Sequence, residues 1–197
     1  MNTMANNTGK SILICGVGGQ GTILMSKTLT YGLVAAGYDV KMSEVHGMAQ
    51  RGGSVSTQVR YGEKVYSPII GRGEADVLVA FEKLEAARYS DLLKPGGTAL
   101  INDYEVFPLP VSSGAAEYPT NIYDEMKKVF DVRVIPASTI AKSLGNIRCT
   151  NIVLMGALVR AFSLESIDWN AALTAVVPAK VLEMNIKAFE AGYQFQG

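Results

Sequence analysis

Two short segments carry residue types that do chemistry. In the first, Gly16, Gly18 and Gly21 fall on the spacing G-x-G-x-x-G, with Gly19 and Gln20 between them. Between a strand and a helix, that spacing allows a tight turn, a close backbone approach and free N–H groups at a helix N-terminus. A dinucleotide pyrophosphate is held in this way. Glu44 closes the next apolar run, where an acid would hold a ribose hydroxyl. The second segment runs from Glu44 to Val55, EVHGMAQRGGSV. It holds His46, the one histidine of the chain, and then Gln50, Arg51, Gly52 and Gly53 in succession. An imidazole is the side chain suited to proton transfer near neutral pH. A guanidinium offers a planar fork for carboxylate or phosphate, and paired glycines let another backbone come close.

Each of these has a plainer reading. The glycine spacing equally suits a tight turn that meets another backbone, or an anion of a different kind. Gln20 stands where a small or apolar residue helps a dinucleotide fold pack its helix. The polar cluster also runs on past Glu44 through His46, Gln50 and Arg51, which a ribose-binding acid leaves unexplained. His46 has no second His or Cys nearby and no triad order around it. It reads as a hydrogen-bonded loop histidine that fixes the turn rather than as a general base. Glu44 caps or orients the loop, with Gln20 as its expected hydrogen-bond partner across the carboxyl ends of neighbouring strands. Further on, Ser67, Pro68, Gly71 and Gly73 in SPIIGRGEAD form a second glycine-rich segment. It is either an ordinary loop or a flexible wall of the same cleft.

The elements that must position these residues follow from hydrophobic periodicity. Residues 11–17 form a buried strand and 22–37 a helix stopped by Gly37. Residues 38–45 form a second strand, so the first unit reads as βαβ, with parallel strands and a right-handed crossover. Residues 54–62 alternate by twos, and KVYSPII is expected to pair with them. Strands follow at 75–82, 98–103 and DVRVIPA, with helices at KLEAARYSDLL and NIYDEMKKVF and a proline-rich loop between. From about Ser138 the chain reads as helices, with Asp168 as an N-cap and Pro178 in a first turn. The methionine-rich C-terminal helices read as core or subunit interface rather than as a cofactor box. The fold class is α/β: one three-layer domain over 11–197 with a mostly parallel, Rossmann-like open sheet and a helical C-terminal region. Residues 1–10 are polar and expected to fray.

Composition narrows the function. Eighteen basic and eighteen acidic side chains cancel, so no excess of charge draws the chain to nucleic acid or to an anionic membrane. Two cysteines, Cys15 and Cys149, stand far apart with no CxxC. A single bridge stays open, but a secreted disulfide scaffold does not fit. An iron–sulfur cluster needs about four thiolates, and one His with two distant Cys supplies a zinc site poorly. The N-terminus lacks the apolar core of a signal peptide, and NIVLMGALVRAF is too short to span a bilayer. The reading is cytoplasmic.

Four segments carry a resemblance: GVGGQGTILMSKTL, EVHGMAQRGGSVSTQVRYG, SPIIGRGEADVLVAFEKLEAAR and, more weakly, NIVLMGAL. Together and in this order they resemble the gamma-type domain of 2-oxoacid:ferredoxin oxidoreductases, most of all the small stand-alone subunit of the indolepyruvate type. The resemblance runs from about Ser11 to the C-terminal helices. It implies a chain that binds no cofactor alone. Thiamine diphosphate, Mg and iron–sulfur clusters would then sit in a large partner subunit, with CoA as co-substrate. The reaction implied is oxidative decarboxylation of an arylpyruvate to an aryl-acetyl-CoA, with electrons passed to ferredoxin. Related domains serve pyruvate, 2-oxoisovalerate and 2-oxoglutarate enzymes. On this reading the loop from Glu44 to Gly53 shapes an interface cleft with the large subunit. Arg51 there grips CoA, a substrate carboxylate or an acidic side chain of the partner. The alternatives are a stand-alone NAD(P)-binding enzyme or regulatory module, and a pure interaction domain that touches no substrate.

Overall fold

The computed structural model describes residues 9–47 and 52–196. Six strands form one sheet: β1 (Lys10–Val17), β2 (Asp39–His46), β3 (Ser54–Gly62), β4 (Ala75–Ala80), β5 (Leu93–Asn102) and β6 (Asp131–Ile135). Their spatial order is β2-β3-β1-β4-β5-β6. β3 runs antiparallel to both its neighbours, while β1, β4, β5 and β6 pair in parallel. The sheet is thus mostly parallel, as its buried apolar runs require.

Eight helices complete the layers: α1 (Thr22–Ala35), α2 (Lys83–Arg88), α3 (Leu109–Ser112), α4 (Ile122–Lys127), α5 (Ala137–Ser143), α6 (Thr150–Ala161), α7 (Trp169–Val176) and α8 (Ala179–Gln194). One face of the sheet, carrying Ile12, Ile14, Val59, Val77 and Val79, packs against α1, α5, α6, α7 and α8. The other face, with Leu13, Cys15, Leu78, Ala80 and Ala99, packs against α2 and α4. Alternation along each strand produces this division, since successive side chains point to opposite faces. α1 stops where expected. Gly37 sits at φ 90°, with Gly37 N–H donating to Val34 O and Tyr38 N–H to Leu33 O. That pair of bonds satisfies the last carbonyls of the helix in a Schellman arrangement. Asp168 caps α7 by accepting from Ala171 N–H at 2.9 Å, as its side chain suits. Pro178 lies just outside α8, at the N-cap rather than in the first turn.

Two expectations about the sheet need correction. β1 and β2 do point the same way, because each is antiparallel to β3, but they are not neighbours: β3 lies between them. The alternating strand 54–62 satisfies both its edges by filling that gap. KVYSPII therefore has no edge of β3 to pair with, and it is not a strand. It is strapped across β3 by side chains instead. Gln58 Oε1 accepts from Ile70 N–H at 2.6 Å and Arg60 donates to Ile69 O at 3.0 Å. Smaller shifts occur at strand ends. β1 begins at Lys10, within the stretch expected to fray, and β5 begins at Leu93 rather than residue 98.

The helical C-terminal region packs backbone to backbone. Nearly every residue of α6 from Thr150 to Val159 is buried, Met155 and Gly156 included, which explains its uninterrupted apolar sequence. Among the described residues no helix is long and apolar enough to cross a membrane. A Cβ on Gly156 would stand 2.1 Å from Phe189 O, and one on Gly192 would stand 1.9 Å from Val153 O. Gly156 and Gly192 are thus what let α6 and α8 cross closely. Gly192→Ala must push the helices apart and is expected to destabilise the fold by about 3 kcal/mol, the upper end of overpacking losses. For a domain of this size that lowers the thermal midpoint by roughly 6–12 °C, which calorimetry or a circular dichroism melt will read.

Candidate functional site

The turn from β1 into α1 is built by glycines in conformations other residues resist. Gly19 and Gly21 have φ values of 101° and 88°, in the left-handed region that favours glycine. Gly16 has no room for a side chain, since a Cβ there would lie 2.7 Å from Gln20 Oε1 and 2.8 Å from Phe81 Cβ. Gly18 is used through its backbone. Its N–H donates to Gly53 O at 2.8 Å, and its carbonyl accepts from Gly52 N–H at 3.3 Å. These two bonds extend the β1–β3 ladder by one step beyond Val17 and Ser54. The GVGGQG turn and the Gly52–Gly53 turn are therefore zipped together.

Gln20 does not reach Glu44, contrary to the sequence expectation. Its Oε1 accepts from Val17 N–H at 2.7 Å and its Nε2 donates to Phe81 O at 3.4 Å. The amide folds back to brace the turn against the ends of β1 and β4. Glu44 accepts instead from Ser26 Oγ on α1 at 3.3 Å. The intervening β3 is the physical reason, because it separates β2 from β1 by two strand spacings, about 10 Å.

A cleft of about 450 Å³ opens between these parts. Gly18, Gly19 and Gly21 form one wall, continued by Thr22 and Ile23 at the start of α1. The strand ends of β2 and β3 form the other, through Glu44, Val45 and His46 and through Val55, Ser56 and Thr57. Val59 and Tyr61 face α1 in the core, so the alternation places Val55 and Thr57 of β3 on that same face. No side chain caps the first turn of α1, so its orphan amides favour a negative group at the cleft. Glu44 and His46 are exposed at the rim.

The structure thus brings Gly18, Gly19, Gly21, Glu44 and His46 to one cleft. Gly16 and Gln20 brace it from behind, and Gly52 and Gly53 bind its glycine wall. Gln50 and Arg51 lie outside the described residues. Ser67, Pro68, Gly71 and Gly73 are not a wall of this cleft. Ile70 is buried on the α2 face, and Gly73 N–H donates to Asp91 O at 3.0 Å, which fixes the segment beside the start of β4.

Several contributors escaped the sequence reading. Asn151, at the start of α6, donates from Nδ2 to Gly21 O at 3.1 Å and so fixes the turn from which α1 begins. Its signal was its place in NIVLMGAL, the weakest of the resembling segments. On α2, Glu82 and Glu85 are buried, 1% and 4% exposed. Glu82 caps α2 through Glu85 N–H at 2.8 Å and also accepts from Val106 N–H and Tyr118 Oη. Helical spacing reads such carboxylates as a solvated face, and only the surrounding loops reverse that.

Cys15 and Cys149 are both free thiols, buried in different halves of the core. Burial pushes the Cys15 thiol well up, with the Glu85 and Glu82 carboxylates adding to the effect. Burial also raises Cys149. The two thiols thus stay protonated in separate clusters of the core. Among the described residues no group of three or more His, Cys, Asp or Glu is arranged to hold a metal ion.

A dinucleotide would find this turn poorly prepared. The Gly18 amide is already bonded to Gly53, and Glu44 stands on a strand that is not the neighbour of β1, unlike the acid of a fingerprint site.

Known proteins match nearly the whole chain. The family model described as pyruvate ferredoxin/flavodoxin oxidoreductase matches residues 11–195. Indolepyruvate oxidoreductase subunit IorB of Thermococcus kodakarensis is 42% identical over 190 residues, covering 92% of this chain and 93% of that one. The gamma subunit of a keto/oxoacid ferredoxin oxidoreductase from Geobacter sulfurreducens has the same fold, with a TM-score of 0.73 at 24% identity, covering 95% of each chain. A 2-oxoglutarate:ferredoxin oxidoreductase from Magnetococcus marinus, solved with 2-oxoglutarate, coenzyme A and succinyl-CoA, also gives a TM-score of 0.73 at 24% identity. There the match covers 94% of this chain and 30% of the longer one.

Bracing and lining residues should separate under mutation. Gln20→Ala strands the Val17 amide, while the Phe81 carbonyl keeps its bond from Asn102 Nδ2, and the change is expected to destabilise the chain by about 1–3 kcal/mol. Glu44→Ala and His46→Ala, at the exposed rim, are expected to stay within about 0.5 kcal/mol. Urea unfolding midpoints of the three variants will check this.

Proposed function

The chain belongs to the pyruvate ferredoxin/flavodoxin oxidoreductase family, and from that we propose that it is the small subunit of a 2-oxoacid:ferredoxin oxidoreductase of the indolepyruvate type. Its partner is a larger chain. The assembled enzyme decarboxylates an arylpyruvate oxidatively, transfers the aryl-acetyl group to CoA and passes the electrons to ferredoxin. One observation carries the reading: the 42% identity to an indolepyruvate oxidoreductase subunit along nearly the full length of both chains.

Thiamine diphosphate, Mg and the iron–sulfur clusters belong to the large subunit in this reading. This chain has two cysteines in all, both buried, and its thiols are held protonated by their surroundings. Its own contribution is a surface. The carboxyl edge of the sheet presents the glycine wall, the uncapped start of α1, the end of β2 from Glu44 to His46, and Gly52 and Gly53. That edge faces the large subunit and holds the acyl acceptor. The α1 amides suit a negative group of the acceptor, and Arg51 adds a fork for carboxylate or phosphate. Glu44, accepting from Ser26, keeps the far rim of the cleft in place.

The direct test is copurification with the large subunit, followed by assay of several 2-oxoacids with CoA and a ferredoxin. Aryl-substituted 2-oxoacids are expected to be the best substrates, and the isolated chain is expected to be inactive. Preference for 2-oxoglutarate or pyruvate would reassign the substrate. Micromolar binding of NADH to the isolated chain, lost on Glu44→Ala, would favour the dinucleotide alternative.

Arg51 offers a sharper check. Arg51→Ala is expected to shift the stability of the free chain by no more than about 0.5 kcal/mol, as for other surface changes. In the complex it removes one partner of a charge-assisted contact, a loss on the order of 2–5 kcal/mol. Arg51→Lys should restore activity only in part, because an ammonium cannot form the bidentate fork. The pair of measurements is the thermal midpoint of the free chain and CoA-dependent 2-oxoacid oxidation by the assembled enzyme.

A further inference from the structure

Behind the zipped glycines lies a buried carboxylate that the family reading does not use. Glu85 of α2 is only 4% exposed. Its Oε2 accepts from Ser54 Oγ and its Oε1 accepts from Arg88 Nε at 3.0 Å. Tyr89 Oη lies 3.2 Å from the same Ser54 hydroxyl. The backbone carbonyl of Glu85 accepts from Cys15 Sγ at 3.5 Å. Ser54 is the first residue of β3 and pairs with Val17. The residue before it, Gly53, receives the Gly18 amide. One unbroken set of contacts thus leads from Glu85 through Ser54 to the point where Gly52 and Gly53 meet the glycine loop.

We propose that Glu85 is a positioning residue: through Ser54, its carboxylate sets the height and direction at which the Gly52–Gly53 turn leaves β3, and so the fit of the acyl acceptor in the cleft. The proposal rests on the reading of the Glu44–Gly53 loop given above. The physical case is one of geometry and cost. A buried carboxylate is expensive to desolvate, and an apolar residue of similar size would pack beside Cys15 and Ala86 without that penalty. What an apolar residue cannot do is hold the Ser54 hydroxyl. Arg88, half in solvent, neutralises the carboxylate from the outer side. Tyr89 closes the remaining direction around the hydroxyl. The turn itself is mostly glycine and has little stiffness of its own, so its position must be imposed from its base.

The test uses the assembled two-subunit enzyme with CoA as the varied substrate. Ser54→Ala and Glu85→Ala are each expected to raise the KM for CoA roughly ten-fold, the loss that follows a missing hydrogen bond to a charged group. The KM for the 2-oxoacid and kcat at saturating CoA should hold within about two-fold, since uniform binding of the acceptor is what is lost. Ser54→Thr keeps the hydroxyl and should restore the wild-type KM. Should Glu85→Ala melt below the assay temperature, Ser54→Ala carries the test, because it removes a single hydroxyl from a half-buried position. Arg51→Ala is run beside them. If it raises the KM for CoA while Ser54→Ala and Glu85→Ala leave it unchanged, the positioning role is overturned and the reading of the loop stands. If all three leave it unchanged, the reading of the loop itself fails. Loss of assembly by a folded Ser54→Ala chain also overturns the proposal, since the contact would then serve docking and not the acceptor.

Discussion

The reciprocal pair of backbone bonds between Gly18 and the Gly52–Gly53 turn is the contact on which the carboxyl edge depends. It joins two turns that lie far apart in sequence, and it does so through main-chain groups alone. That constrains residue type on both sides. Gly19, Gly21 and Gly52 all have positive φ, so the turns meet only because glycine tolerates it. It also constrains chemistry. An amide that a dinucleotide loop would offer to a pyrophosphate is occupied here by Gly53. Free amides remain at the start of α1, where no side chain caps the helix.

The same contact requires β3 to run antiparallel beside β1, and this one insertion reorganises the edge. It moves β2 out by a strand and carries Glu44 and His46 with it. The space so created is the cleft, floored by Val55 and Thr57 and walled by α1. Glu44 then finds Ser26 on α1 in place of Gln20, and Gln20 turns inward to Val17 and Phe81.

Much of this was legible in the chain. Apolar runs, the first of them ending at glycines, marked β1 and β4 because strands buried on both faces have no polar side to show. Gly37 and Asp168 marked helix ends because their roles are local. Gly18, Gly19, Gly21, Glu44 and His46, which line one cleft, stood out in the sequence by residue type and spacing. What escaped was set by pairing and not by pattern. Alternation in residues 54–62 announced a strand but not that both its edges would be taken, and so KVYSPII was given an edge that does not exist. Gln20 and Glu44 were paired on the assumption that consecutive strands are neighbours, which β3 breaks. Asn151 and Glu85 look like ordinary helix positions and Glu82 like the end of a strand, and their roles come from loops that fold over them.

Those two carboxylates on α2 organise the edge from beneath. Glu82 caps the helix and holds the following loop through Val106 N–H and Tyr118 Oη. One turn later, Glu85 holds the base of β3 through Ser54. Burying two carboxylates this close together is unfavourable, and like charges nearby add to the penalty. The donors around them offset it: a helix amide, a loop amide, a phenol, a hydroxyl and a guanidinium. Burial first, then the Glu82 hydrogen bond and its charge, push the Tyr118 phenol far above its usual range, so it stays a donor. Two loops on opposite sides of α2 are thus tied to one short helix by groups that an apolar core cannot replace. The glycine turns at the edge meet through main-chain bonds alone, and the carboxylates of α2 add the side-chain contacts at the base of β3 and in the following loop.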